Sequence, residues 1–318
     1  MKRSLMIAVI AVVFAGGVLA GWMLPRRMRI ESAVPPADVA GYQHTLTLAT
    51  YNVRKFFDTY DNPYTADEKT RPKSPAELAE LARAIRALDA DVLILQEVEA
   101  GGVLKNFVEH QLSDLRYTAV VDSTTEDPRG ITVAALSRVP VLRIVSHRLA
   151  PLEGGRRFAR DLLRLDLEAA PGHGLSVYGM HLKSQRDGTD GNDKNSAHWR
   201  LAETTRAREL IREEMSAGQN LAAARFVVLG DANDSVDSPP VRMLISATEP
   251  PLTDALAAIP AAARITYKGE NYREAIDQVL VSPGLAAAVV PGSAVILDGG
   301  AFEKASDHRP VRIALRIP

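Results

Sequence analysis

The sequence has no cysteine, so disulfides, thiolate metal sites and cysteine nucleophiles are excluded, and the redox compartment leaves no trace. Aromatic residues make up only 5% of the chain, which leaves few rings for stacking along a single strand. Neither sign of charge dominates. The balance of 38 Lys and Arg against 39 Asp and Glu gives a formal net charge of −1, so no global basic field draws the protein to a polyanion, although a local patch would serve. There is no internal repeat, and only the Ala-rich stretch 255–263 approaches low complexity.

What is present suits a large globular unit behind a leader. Of 318 residues, 46% are hydrophobic and 24% charged. Residues Leu5 to Leu24 form a run of 20 without a charge, flanked by Lys2-Arg3 and by Arg26, Arg27 and Arg29. A run of that length spans a bilayer and is longer than a usual signal core. Residues 1–29 are therefore expected to be an uncleaved membrane anchor, with a cleaved signal ending near Val18-Leu19-Ala20 as the alternative. The flanking charges do not fix the orientation. The Lys-Arg start favours an extracytoplasmic domain, secreted if the segment is cleaved. Residues 30–41, with Pro35-Pro36, read as a linker, and 42–318 as one catalytic-sized domain.

Along that domain, short apolar runs repeatedly end in polar residues. Thr45–Val53 alternates as a strand and ends in Tyr51-Asn52-Val53. Ser74-Pro75-Ala76-Glu77 has the spacing of a capping box with Pro at the first helical position, and Leu78, Leu81, Ala82, Ile85 and Leu88 then share one helix face. Val92–Leu95 is a buried strand delivering Gln96-Glu97, and Ile131–Leu136 another delivering Ser137-Arg138. Strands over 162–167 and 175–180 follow, the second ending in His181. A helix is expected from about Ala197 to Met215. Phe226–Leu229 delivers Gly230-Asp231-Ala232-Asn233, and the strand 275–281 carries Asp277. Near the end, Ser306-Asp307-His308-Arg309-Pro310 stands before the alternating Val311–Leu315.

Each of these residues has a plain structural explanation when taken alone: a turn, a strand exit or a solvent-facing acid. Together they contain what metal-assisted phosphoryl transfer needs. Carboxylates and an amide oxygen hold Mg²⁺, while histidine, amide and arginine offset charge on phosphorus-bound oxygens. An acid against an imidazole orients and polarises it.

TYNV, LQEVE, SRVP, HLKS, GDAND, IDQVLVS and SDHRPV, in that order over residues 45–317, resemble the endonuclease/exonuclease/phosphatase (DNase I-like) superfamily. The resemblance implies an α/β fold, a four-layer α-β-β-α sandwich of two packed sheets with the site at one rim. It implies a metal end built from Glu97, Asn52 and Asp307, binding Mg²⁺ or alternatively Mn²⁺. Asp231 and Asn233 would position water and phosphate, with His308 paired to Asp277 as general base or phosphate-stabilising imidazolium. His181 and Arg138 would contact the phosphate.

The reaction expected is hydrolysis of a phosphoester, with nucleic acid the leading substrate of a monomeric nuclease or phosphodiesterase. A phosphatase or sphingomyelinase-like phospholipase acting on inositol or lipid phosphates is the alternative, which the apolar run makes attractive. A tethered binding protein without turnover is the third reading. Specificity would lie in three loops: Asp58–Lys73; Pro151–Arg160, with Arg156, Arg157 and Arg160; and Lys183–Arg200. Two basic loops beside a phosphate site suit a polyanionic strand.

Overall fold

The computed structural model describes residues 45–67, 69–185, 194–217, 220–269 and 273–317. The apolar run at 5–24 and the linker at 30–41 lie outside the described residues. Among those described, no helix is long and apolar enough to cross a membrane.

The first part of the chain forms β1 (Thr45–Phe56), α1 (Pro75–Leu88), β2 (Val92–Glu99), α2 (Val103–Gln111), β3 (Ala119–Asp122) and β4 (Ile131–Ser137). Next come β5 (Val141–Ser146), β6 (Leu162–Ala170), β7 (His173–His181), α3 (Lys194–Met215), β8 (Phe226–Asp231) and α4 (Pro239–Ile245). The last part holds β9 (Thr253–Asp254), β10 (Tyr267–Lys268), β11 (Arg273–Glu274), β12 (Asp277–Val281) and α5 (Pro283–Ala286). It closes with β13 (Val295–Ile296), α6 (Gly300–Ala305) and β14 (Val311–Arg316).

Among the described residues these strands make two six-stranded mixed sheets, ordered β13-β14-β1-β2-β4-β3 and β5-β6-β7-β8-β12-β9, with β10-β11 a separate ribbon. Alternation explains the layering. In β2, Ile94 faces the opposite sheet while Leu93 and Leu95 face helices; in β8, Val227 and Leu229 face inward while Phe226 and Val228 face outward. A strand buried on both faces loses the polar half of its pattern, which is why these runs read as wholly apolar. The inter-sheet core joins Leu48, Ile94 and Val133 to Leu165, Val177 and Val279. Each such buried side chain contributes about 2 kcal/mol relative to exposure. Helices α1, α2 and α6 cover one outer face, and α3 with α4 cover the other. The result is the expected four-layer sandwich.

The α1 capping box forms as expected: Ser74 Oγ accepts from Glu77 N and the Glu77 carboxylate accepts from Ser74 N at 2.8 Å. Helix α3 begins at Lys194, three residues before the expected Ala197. Gly230 shows why glycine opens the GDAND segment. Its φ is +145°, and a Cβ there would lie 2.0 Å from the Met180 carbonyl oxygen on the paired β7.

The topology defines one functional rim. Strands β1 and β2 run parallel, so Asn52 and Gln96 stand side by side at their C-terminal ends. Strands β7 and β8 are also parallel, which pairs His181 with Asp231. Antiparallel β12 starts at the same rim, with Asp277 opposite Asp231. Strand β14 pairs antiparallel with β1, Val311 against Thr50, so the residues just before it reach the same edge.

Candidate active site

Eight of the nine residues singled out in the sequence converge on this rim. Asn52, Asp231, Asp277, His181 and His308 are each at most 6% exposed. Glu97, Asp307 and Asn233 are half-buried. Two irregularities aim the polar groups. Strand β2 bulges at Glu97, which has φ +61°, and its register shifts against both β1 and β4. A bulge turns a side chain that would alternate into the sheet face toward the rim instead. Asn233 adopts φ +49°, turning sharply so that its N–H donates to Asp231 Oδ1 at 2.8 Å and its Nδ2 to the Leu182 carbonyl at 3.0 Å.

The centre is a buried chain of acids and imidazoles. His308 Nδ1 lies 2.9 Å from Asp277 Oδ2, and His308 Nε2 lies 3.8 Å from Asp231 Oδ2. Asp231 Oδ2 also accepts from Asn52 Nδ2 at 2.9 Å and stands 3.5 Å from His181 Nε2. The Tyr267 ring covers His308 at 4.9 Å between centroids. Burial would push the His308 imidazolium toward its neutral form, but the Asp277 and Asp231 charges outweigh it and raise its pKa to about 10. Burial raises the Asp231 carboxyl to about 7 against the opposing pull of His308 and the Asn52 amide. His181 goes the other way. Burial, then the charges of Arg160, His308 and Arg129, hold it well below the usual histidine range. At neutral pH the site therefore carries one imidazolium and one neutral imidazole.

Oxygen donors gather on the β1–β2 side. Asn52 Oδ1 accepts from Arg54 N at 3.0 Å, and Glu97 Oε2 from Lys55 N at 2.9 Å. Asp307 Oδ2 lies 3.4 Å from the Arg54 guanidinium. The donor set is two carboxylates and an amide, with no sulfur and no imidazole, which fits a hard divalent cation such as Mg²⁺. Asp231, Asp277 and His308 also bring three potential ligand atoms within 4.8 Å of one another. There, however, His308 Nδ1 lies within hydrogen-bond distance of Asp277, and the two carboxylates favour its protonated form, so these residues fit acid–base work better than ligation.

A cationic wall faces this centre. The cleft of about 430 Å³ is lined by Arg129 and Arg160 as well as by the residues above. Both arginines contact Asp127 at 3.0 Å, and Arg160 donates to the Leu182 carbonyl at 3.1 Å. Behind them the wholly buried Glu203, on α3, accepts from the backbone N–H groups of Ala159 at 2.7 Å and Lys183 at 2.8 Å. Burial raises this carboxyl to about 7, and its two bonds tie the segments carrying Arg160 and His181 to one helix.

Arg138 is the correction. Strand β4 runs antiparallel to β2, with Ser137 opposite Val92, so the residue after β4 sits at the rim remote from Glu97. There Arg138 donates to the Leu115 carbonyl at 2.9 Å, pairs with Asp89 at 2.8 Å and stacks over Tyr117 at 5.1 Å. It buttresses a loop and does not reach the cleft. The guanidinium groups that do reach it, Arg129 and Arg160, come from irregular segments. Arg160 fell within the basic loop noted in the sequence. Arg129, Tyr267 and Lys268 had no periodic signal to mark them.

A family model for the endonuclease/exonuclease/phosphatase family matches residues 49–308, and the chain belongs to that family. Among solved structures, the human Nocturnin catalytic domain with bound sulfate anion is similar at 16% identity and a TM-score of 0.62, covering 91% of this chain and 96% of that one. Truncated TDP2 from Caenorhabditis elegans is similar at 15% identity and a TM-score of 0.59, covering 86% and 98%. An endonuclease/exonuclease/phosphatase protein from Beutenbergia cavernae DSM 12333 is similar at 22% identity and a TM-score of 0.57, covering 86% and 72%. At these identities the likeness shows the fold. No curated protein matches the sequence.

Proposed function

We propose that this protein is a Mg²⁺-dependent phosphoester hydrolase of the nuclease or phosphodiesterase type. One observation carries the reading: a buried Asp277–His308–Asp231–Asn52 chain faces arginines across one cleft, with oxygen donors at its end. A scissile phosphate fits between the two. Arg129, Arg160 and the His308 imidazolium offset charge on its non-bridging oxygens, and neutral His181 donates a hydrogen bond there. Asp231, beside Asn233, orients water for in-line attack and takes its proton. Asp277 holds the His308 ring in place and keeps it charged. Mg²⁺, or Mn²⁺, bound by Glu97, Asp307 and Asn52 would polarise a phosphoryl oxygen and stabilise the leaving oxygen.

Nucleic acid is the favoured substrate because the cleft wall is cationic, and the protein is proposed to act as a monomer. The apolar run at residues 5–24 keeps a lipid phosphodiester or inositol phosphate as the second reading. That run is proposed to anchor the chain with its domain outside the cytoplasm. A panel of supercoiled plasmid, inositol phosphates and sphingomyelin vesicles, each with Mg²⁺ and with EDTA, tests the class. Metal-dependent cleavage of the plasmid alone supports a nuclease. Turnover confined to the vesicles or the inositol phosphates overturns it.

A further inference from the structure

Beside the active-site cleft lies a broader one of about 780 Å³, and Arg129, Arg160 and Ser184 line both. The two clefts therefore adjoin, with these residues as their common wall. Phe158 and Ala159 give the second cleft an apolar base, and Trp199, from α3, stands at its side. Trp199 Nε1 donates to the Arg157 carbonyl at 3.1 Å, which fixes the rotation of the indole. The Arg156 guanidinium carbon lies 4.9 Å from the ring centroid and Lys183 Nζ lies 5.8 Å from it.

Among the described residues, the charge around that ring is mostly positive. Five basic side chains and two acids, Glu126 and Asp127, are among the lining residues. Asp127 is spent on Arg129 and Arg160, and Glu126 on Arg148 and Arg157. Arg156 has no acidic partner among the described residues. A fixed indole among cations, beside the candidate phosphate site, matches a ligand that alternates flat rings with phosphates. Rings stack on aromatic and arginine planes, while the charges between them take phosphate oxygens. An alkyl chain would gain from the apolar base but nothing from the cations. A polyol phosphate would find no use for the indole.

We infer that this cleft is a nucleotide subsite, in which the base adjoining the scissile phosphate of a single-stranded nucleic acid stacks on Trp199 and Arg156. The inference rests on the phosphoester-hydrolase reading for its substrate and adds where the strand lies. Two tryptophans are present in the chain, Trp22 and Trp199, so the full-length Trp22→Phe protein reports on the subsite alone. Titrated with oligothymidylate in EDTA, it shows saturable quenching of Trp199 emission, and Arg156→Gln moves the midpoint about 5-fold weaker. With Mg²⁺, Trp199→Ala raises KM for the oligonucleotide about 10-fold or more, Trp199→Phe recovers most of that loss, and turnover of methyl p-nitrophenyl phosphate stays within about twofold. Absence of quenching, or a wild-type oligonucleotide KM in Trp199→Ala, overturns the subsite. Normal plasmid cleavage by Trp199→Ala with an unchanged KM would sink the subsite and leave the reaction standing. Quenching by oligothymidylate from a protein that cleaves no phosphoester would sink the reaction and leave the subsite standing.

Discussion

His308 stands between two buried carboxylates, with Nδ1 2.9 Å from Asp277 and Nε2 3.8 Å from Asp231. Asp277 is committed to the ring. Asp231 is shared among His308, His181 and Asn52.

This arrangement sets the pH dependence. The base form of Asp231 exists above about 7 and the imidazolium of His308 below about 10, so kcat/KM is expected to follow a bell between those values, which a pH–rate profile checks. Asp277→Asn removes the nearer of the two charges that raise the His308 pKa. Its alkaline limb therefore moves to lower pH, and turnover falls about 10²–10⁴-fold. An Asp277→Asn profile with an unshifted alkaline limb would detach Asp277 from the proton chemistry.

Glu97 is placed by a bulge and spends one carboxylate oxygen on the Lys55 N–H, leaving the other for a cation. Glu97→Gln is expected to raise the Mg²⁺ concentration for half-maximal activity by about 10-fold or more. An activity titration against Mg²⁺ checks this, and an unchanged midpoint removes Glu97 from the metal end.

The two arginine positions separate cleanly. Arg129→Gln, in the cleft, lowers turnover about 10–100-fold. Arg138→Gln, at the far rim, leaves turnover within about twofold and costs about 1 kcal/mol of stability through its lost pair and ring contact. Paired steady-state kinetics and thermal melts tell them apart. A catalytic defect in Arg138→Gln would contradict the topology given for β4.

That contrast also shows what was legible in the sequence. Asn52, Glu97, His181 and Asp231 could be found because an apolar run ending in a polar residue marks a strand exit. Arg138 carries the same signature, yet its strand runs the other way, and strand direction leaves no mark in the residues themselves. Arg129 sits in an irregular segment and Tyr267 on the two-residue β10, both too short or too irregular for a period to separate a rim residue from a solvated one. Glu203 was hidden differently. Helix α3 is polar around much of its girth, so an acid buried beneath two backbone amides looks like any surface glutamate. The layers themselves were carried by the alternation and by the motif order.

A second buried network, away from the cleft, is expected to contribute to acid stability. Glu214 accepts from Tyr178 at 3.0 Å and pairs with His147 and Arg164, each at 3.0 Å. Burial would raise this carboxyl, but the His147 bond and charge, with Arg164, outweigh it and depress it to about 2 from 4.5. The unfolded chain thus binds more protons between those values. Stability from Glu214 is full above about 4.5 and is lost as pH falls toward about 2. Glu214→Gln should cost about 3 kcal/mol at neutral pH and flatten the acid limb of a urea-denaturation series. An acid limb unchanged in the variant would assign that loss to other carboxylates.

The His308 chain is proposed to drive metal-dependent cleavage of a phosphoester. The most direct measurement is supercoiled-plasmid nicking by the full-length protein with Mg²⁺, beside EDTA and His308→Ala controls whose folding is verified by circular dichroism. Conversion to open circles that vanishes in both controls is the predicted result. Nicking that persists in a metal-dependent way in folded His308→Ala would contradict it.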